Sequence, residues 1–138
     1  MDQALQLRIV TPERLVVEDV ALSVQIPGKR GELGILPGHA PLITELAVGE
    51  ISYHAAGDGG RSAHLAVAWG FAEVLPDRVT ILAETAEKAE EIDVARAQRA
   101  KDRAEQRLAK PGEEVDFRRC QVALERAIVR LEVAGKRQ

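Results

Sequence analysis

Residues 31–42 read Gly31-Glu32-Leu33-Gly34-Ile35-Leu36-Pro37-Gly38-His39-Ala40-Pro41-Leu42, or GELGILPGHAPL. Three glycines and two prolines in this run fix a backbone path with positive-φ positions and rigid φ, which predicts a shaped loop or a bulged sheet edge. Leu33, Ile35, Leu36 and Leu42 are apolar side chains on what must be a surface connection. Two readings follow: a rigid docking surface, or a hairpin whose apolar residues pack on their own sheet. Only Glu32 and His39 offer acid–base chemistry, and neither has a nucleophile or metal cage beside it.

On the N-terminal side of this run the chain alternates with a period of two. Leu5, Leu7 and Ile9 oppose Gln6, Arg8 and Val10, Pro12 interrupts, and Leu15–Val17 and Val20–Ile26 resume. The second stretch places Val20, Leu22, Val24 and Ile26 inward, with Ala21, Ser23 and Gln25 outward. On the C-terminal side, 42–47 and 50–55 are strand-length. Gly57-Asp58-Gly59-Gly60 is a hairpin signal, because its residues reach positive φ cheaply. His64–Leu75 alternates Leu65, Val67, Trp69 and Phe71 with Ala66, Ala68, Gly70 and Ala72, and the small side lets another surface lie close. Pro76-Asp77 turns the chain into a last strand over 79–84. Short strands at near-regular spacing, with no helical pattern between them, predict an antiparallel sandwich or flattened barrel.

Composition then shifts near Thr85. Residues 1–85 hold 6 Lys and Arg against 11 Asp and Glu, a net charge of −5, whereas residues 86–138 hold 13 against 11, a net of +2. Residues 86–109 are nearly all Ala, Glu, Lys, Arg and Gln, which predicts a helix with Asp93 as a plausible N-cap. Its apolar stripe, Ala97, Ala100, Ala104 and Leu108, is small, so a partner can come close while little area is buried. Lys110-Pro111-Gly112 ends it. A second helix, capped at Asp116 and running to Val133 or Ala134, carries Phe117, Cys120, Leu124, Ala127, Ile128 and Leu131 on one stripe. The short turn makes the two helices antiparallel neighbours. The domain reading is therefore residues 1–85 as a β body and 86–138 as a weakly held helical hairpin.

No apolar run approaches the roughly 18–20 residues of a membrane span, and no signal peptide is legible. Cys120 is the single cysteine of 138 residues, so no internal disulfide forms. Four aromatic residues are too few for a stack of nucleic-acid bases. GxxxxGK[ST], GxGxxG, GxSxG, HExxH and paired CxxC are all absent, so no catalytic residue and no metal site is assigned. Arg96, Arg99 and Arg103 stripe the first helix, and Arg119, Arg126 and Arg130 the second. Like charges at i, i+4, such as Arg99/Arg103 and Arg126/Arg130, cost an isolated helix about 0.2–0.5 kcal/mol per pair, so something offsets them. Asp102, Glu105 and Glu125 would do so as ordinary ion pairs; the sharper alternative is an anion gathered between the stripes.

Two separated stretches together, GELGILPGHAPL at 31–42 and IDVARA at 92–97, resemble the epsilon-subunit family of the F-type ATP synthase, over essentially the whole chain. The resemblance implies a β-sandwich of about ten strands followed by an antiparallel α-helical hairpin. It implies a non-catalytic rotor subunit in the central stalk, with the sandwich docked on the gamma subunit and the membrane rotor ring. Glu32, Leu36, Gly38 and His39 would lie at that interface. The hairpin would either fold down on the sandwich or extend into the catalytic alpha/beta hexamer and oppose ATP hydrolysis. In some bacterial members the folded hairpin binds ATP through I-D-x-x-R-A, which here falls on Ile92, Asp93, Arg96 and Ala97. Further matches are Glu87, Arg103, Arg126 and Arg130. No cofactor is required on this reading, with ATP a regulatory ligand only. The implied location is peripheral, on the cytoplasmic face of the membrane, without insertion and without nucleic acid. The competing class is a free-standing adaptor or transcription-factor-like module, whose acidic tip at 110–116 would hold a metal for a site in trans.

Overall fold

The computed structural model describes residues 4–110 and 114–137. Seven strands come first: β1 (Leu5–Val10), β2 (Leu15–Gly28), β3 (Gly31–Ile35), β4 (Leu42–Glu45), β5 (Gly49–Ala55), β6 (Ser62–Leu75) and β7 (Arg78–Lys88). Two helices follow, α1 (Val94–Leu108) and α2 (Glu114–Ala134). Hydrogen bonding runs in the order β1-β7-β6-β5-β2-β3, and β1 also pairs with β2, which closes the sheet on itself. All ladders are antiparallel except β1–β7. Closure hides most strand edges and leaves β3 as an edge that pairs only with β2.

Seven continuous strands do the pairing expected of about ten, because the two strands of 14 residues each serve successive partners. β2 pairs with β1 over Leu15–Ala21 and then with β3 and β5. β6 pairs with β5 over Ser62–Val67 and with β4 over Phe71–Val74. The GELGILPGHAPL run divides accordingly: its first five residues form the edge strand β3, and the rest is a turn into β4. Within that turn the Gly38 amide donates to the Pro76 carbonyl at 2.7 Å.

The expected side-chain phase holds for β1, where Leu5, Leu7 and Ile9 are fully buried. It fails inside both long strands. In β2 the register shifts between Ala21 and Ser23, so Ala21 is buried and Leu22 exposed, while Val24 and Ile26 point inward as expected. In β6, Trp69 and Gly70 both take positive φ, 52° and 114°. Leu65 and Val67 face the core before this kink, and Ala72 and Val74 face it afterwards. Phe71, expected inside, is therefore 54% exposed. The kink needs glycine at its second position: a Cβ on Gly70 would stand 1.9 Å from the Leu82 carbonyl oxygen.

Residues 86–93 do not join the helix that their composition favours. β7 runs on to Lys88, because Leu65–Ala68 of β6 offer it partners. A short 3-10 turn, Ala89–Glu91, follows. Asp93 then acts as the N-cap, its side chain accepting from the Arg96 amide at 3.0 Å. Here strand pairing outweighs helix propensity. α2 begins two residues before Asp116. Pro111, Gly112 and Glu113, with them most of the Lys110-Pro111-Gly112 break and part of the acidic tip, lie outside the described residues.

Two apolar cores form, and they are separate. The larger is confined to the sandwich, from Leu5 to Ala86. The smaller joins Ala66, Ala89, Ile92, Val133 and Ala134, with Val129 beside it. Ala66 belongs to the small side of β6, so that side does receive another surface, the end of α2. Between the helices, Ala97 and Ala104 of α1 and Cys120 and Ala127 of α2 are buried. These small side chains permit close approach and yield modest burial.

Candidate functional site

Three surfaces carry the candidate residues. The first is the turn after β3. Leu36 is 62% exposed, and His39 Nδ1 donates to the Ala40 carbonyl at 2.7 Å. Gly38, at φ 90°, takes a conformation that favours glycine. These three sit together. Glu32 stands at the other end of β3, four residues and about 13 Å of strand away, beside the β2–β3 turn. The four proposed interface residues thus flank one edge strand and do not form a single cluster.

The second surface was not legible in the sequence. Phe71 lies opposite Leu82 of β7, Leu82 opposite Val10 of β1, and Val10 opposite Leu15 of β2. Cross-strand partners share a face, so these residues make an apolar row on the outside of the sheet. Ile43, 70% exposed, adjoins the row from β4, where Glu45 faces Phe71. The kink at Trp69 and Gly70 turned Phe71 outward, and strict alternation hides such a slip. Val79 and Ile81 are buried while Leu82 is exposed, and that opposite phase in β7 was the one available signal.

The third surface is the seam between α2 and the body. Arg130 Nε lies 2.6 Å from Glu87 Oε1. One turn earlier the Arg126 guanidinium sits over the Trp69 ring, 5.5 Å from its centroid. Beyond the helix end, Lys136 Nζ reaches Glu50 Oε1 at 2.6 Å, while Glu50 Oε2 meets His64 Nδ1 at 2.6 Å. Arg137 donates to the Ile92 carbonyl. The offset that the Arg126/Arg130 repulsion called for therefore comes from the sandwich, through Trp69 and Glu87, and not from acidic neighbours on the same helix. Asp102, one of those neighbours, accepts instead from Gln98 at 3.0 Å. On the entry side, Arg14 of the β1–β2 turn donates to both oxygens of Glu91 at 3.0 Å. Burial pushes the Glu91 carboxyl up, but the Arg14 hydrogen bond, the Lys88 amide and the Arg14 and Lys88 charges together hold it below the usual value.

Of the eight residues proposed for nucleotide, the fold gathers Glu87, Arg126 and Arg130 around one crevice, with Val48, Ala68 and Thr85. Its volume is about 10 Å³, at the lower limit for one water. Ile92 is buried in the smaller core, Asp93 caps α1 and Ala97 is buried against α2. Arg96 and Arg103 are exposed on α1, about 10 Å apart along its axis. Beside the crevice, toward the N-terminal half of α2, a cleft of about 340 Å³ opens between Val122 and Glu125 and the Trp69–Phe71 segment.

Among the described residues no group of three or more His, Cys, Asp or Glu is placed to hold a metal ion, and no helix is long and apolar enough to cross a membrane. Residues 4–89 match the family model described as the ATP synthase delta/epsilon chain β-sandwich domain, and residues 90–135 match the delta/epsilon chain long α-helix domain. The chain is 67% identical over 112 residues to the ATP synthase epsilon chain of Koribacter versatilis, covering 81% of this chain and 77% of that one. It is 50% identical over 110 residues to that of Nitratidesulfovibrio vulgaris strain DP4, covering 80% of each. Among solved structures, a chain of the Euglena gracilis mitochondrial ATP synthase, in its OSCP/F1/c-ring assembly, superposes with TM-score 0.82 at 25% identity, over 97% of this chain and 82% of that one. A chain of the Tetrahymena thermophila central stalk and c-ring shares the fold, with TM-score 0.64 at 11% identity.

Proposed function

We propose a role that starts from one established relation: this chain belongs to the delta/epsilon chain family of ATP synthase, as an epsilon chain of the F-type enzyme. Membership of that family displaces the free-standing adaptor. The chain acts as a non-catalytic subunit of the central stalk. Its sandwich grips the gamma subunit through the apolar row Leu15, Phe71 and Leu82, and meets the membrane rotor ring through Glu32, Leu36, Gly38 and His39. An exposed apolar row on a closed sheet supports the first contact, because such a face gains most from a permanent partner. The subunit works at the cytoplasmic face of the membrane, peripheral to it.

The hairpin is the regulatory part. It rests on the sandwich as described, and in a second state extends toward the catalytic alpha/beta hexamer, where its arginines oppose ATP hydrolysis. One observation carries this reading: among the described residues the hairpin has no share in the main core and is held by the small cluster around Val133 and by ion pairs. A ligand moves such a balance only by its difference in affinity between the states. ATP bound to the folded hairpin alone, at a hundredfold excess over its dissociation constant, would add about 2.7 kcal/mol to that state. Glu87, Ile92, Asp93, Arg96, Ala97, Arg103, Arg126 and Arg130 are the residues for that site, and the crevice among three of them has to widen to admit it.

A chain ending at Lys88 keeps every strand and the whole larger core. Reassembled with the rest of the complex, it is expected to bind the stalk and to leave ATP hydrolysis uninhibited. Hydrolysis inhibited to the same degree as with the full chain would remove the brake from the hairpin.

A further inference from the structure

Trp69 holds a backbone conformation that side chains other than glycine take at a cost, φ 52°, with Gly70 next to it at 114°. The Trp69 ring itself takes no part in the main core. The ring lies instead at the seam with α2, beneath the Arg126 guanidinium. One turn on, Arg130 is committed to Glu87 at 2.6 Å, with each side chain about 30% exposed. Lys136 and Arg137 extend the series to Glu50 and the Ile92 carbonyl. The crevice between Arg126, Arg130 and Glu87 has a volume of only about 10 Å³. The folded hairpin therefore satisfies its two inner arginines from the body alone.

We propose that Trp69 is an internal latch: it keeps the hairpin folded without any nucleotide by occupying Arg126, and ATP must displace it, and loosen Arg130 from Glu87, to reach Arg126 and Arg130. The latch itself rests on geometry, and only the competition rests on the nucleotide reading above. A partly exposed cation–π contact corresponds to roughly a two- to fivefold change in an equilibrium. The effect on nucleotide runs in the opposite direction to that of a binding residue, because loss of Trp69 frees a phosphate ligand.

The test uses the full chain and two variants, one on each side of the contact. Trp69→Gly removes the ring and relieves the positive φ, so the body is expected to keep its melting temperature or gain. Limited trypsin digestion, with fragments mapped by mass, is expected to cut the hairpin about two- to fivefold faster than in the parent while the β body survives. ATP affinity by calorimetry is expected to rise by a similar factor. Trp69 is the only tryptophan, so in Arg126→Gln its emission is expected to shift to the red and its acrylamide quenching to increase. Equal cleavage in Trp69→Gly together with unchanged quenching in Arg126→Gln overturns the latch. Faster cleavage with equal ATP affinity overturns the competition. Faster cleavage with no ATP heat in the parent or either variant upholds the latch and overturns the nucleotide reading.

Discussion

The body and the hairpin are held together by different physics. In the body, Leu5, Leu7, Ile9, Ile26, Ile51, Leu65 and Ile81 are fully buried from strands that also close a hydrogen-bonded ring. In the hairpin the buried side chains between helices, among the described residues, are alanines and one cysteine, and docking adds a cluster built from Ala66, Ala89, Ile92, Val133 and Ala134. Apolar burial stabilises by about 0.8 kcal/mol per CH₂, so alanine-lined contacts give a small fraction of what leucine and isoleucine give. Charges make up part of the difference at the seam, where partly exposed pairs contribute about 0.2–1 kcal/mol each and weaken with salt. One chain thus joins a part with a large apolar core to a part fastened by small side chains and charges.

The largest test of that contrast removes volume from the body. Ile81→Ala is expected to cost about 2–5 kcal/mol of global stability by denaturant titration, with the hairpin lost in the same transition. Gly70→Ala comes next, on the order of 1–3 kcal/mol, since it places a Cβ against the Leu82 carbonyl at a φ of 114°. Its damage is expected in the body, with altered exchange of the β6 and β7 amides. Val133→Ala addresses the hairpin alone. Loss of two buried methyl groups is expected to ease its opening by about 1–2 kcal/mol, seen as faster exchange across α2 while the melting of the body is unchanged. If that substitution lowers the body's melting temperature by as much as Ile81→Ala does, the two cores are one cooperative unit and the contrast fails.

The smallest effect expected is acidic. The Glu91 carboxyl is held below its ordinary value of 4.5 in the folded chain, so its contribution is fully present above that value and is lost as pH falls through the lowered one. Protection of the Ala89–Ile92 amides is expected to drop in that acidic range, and Arg14→Gln is expected to flatten the drop. At the other end, burial first and then the Asp19 charge and hydrogen bond push Tyr53 from 10.0 up to about 12. A phenol raised in this way favours folding below 10 and loses that contribution as pH climbs toward 12, a body transition with no counterpart in the hairpin.

Much of the fold is legible where a local rule acts without competition. The alternation of Leu5, Leu7 and Ile9, the Asp93 cap and the paired helices after the composition shift are all of this kind. The phase of the long strands is not. Ala21/Ser23 and Trp69-Gly70 invert it midway, and a residue that changes its partner strand looks in sequence like any other strand residue. The exposed row around Phe71 was hidden for that reason. Of the proposed site residues, the IDVARA run is singled out by the family resemblance, but that Arg126 rests on Trp69 and Arg130 on Glu87 is not legible in the sequence. Those partners are 57 and 43 positions away in the chain.

By itself, the amino-acid sequence determined that a run of strands precedes two helices, where the chain divides in charge and composition, and the family likeness of the two motifs. Those properties depend on neighbours within one or two turns, which the chain carries wherever it goes. Only the tertiary structure decided which face of each long strand looks inward, what the arginines touch and how little apolar surface fastens the hairpin. These depend on groups brought together from distant positions, where strand pairing and close packing override local preference.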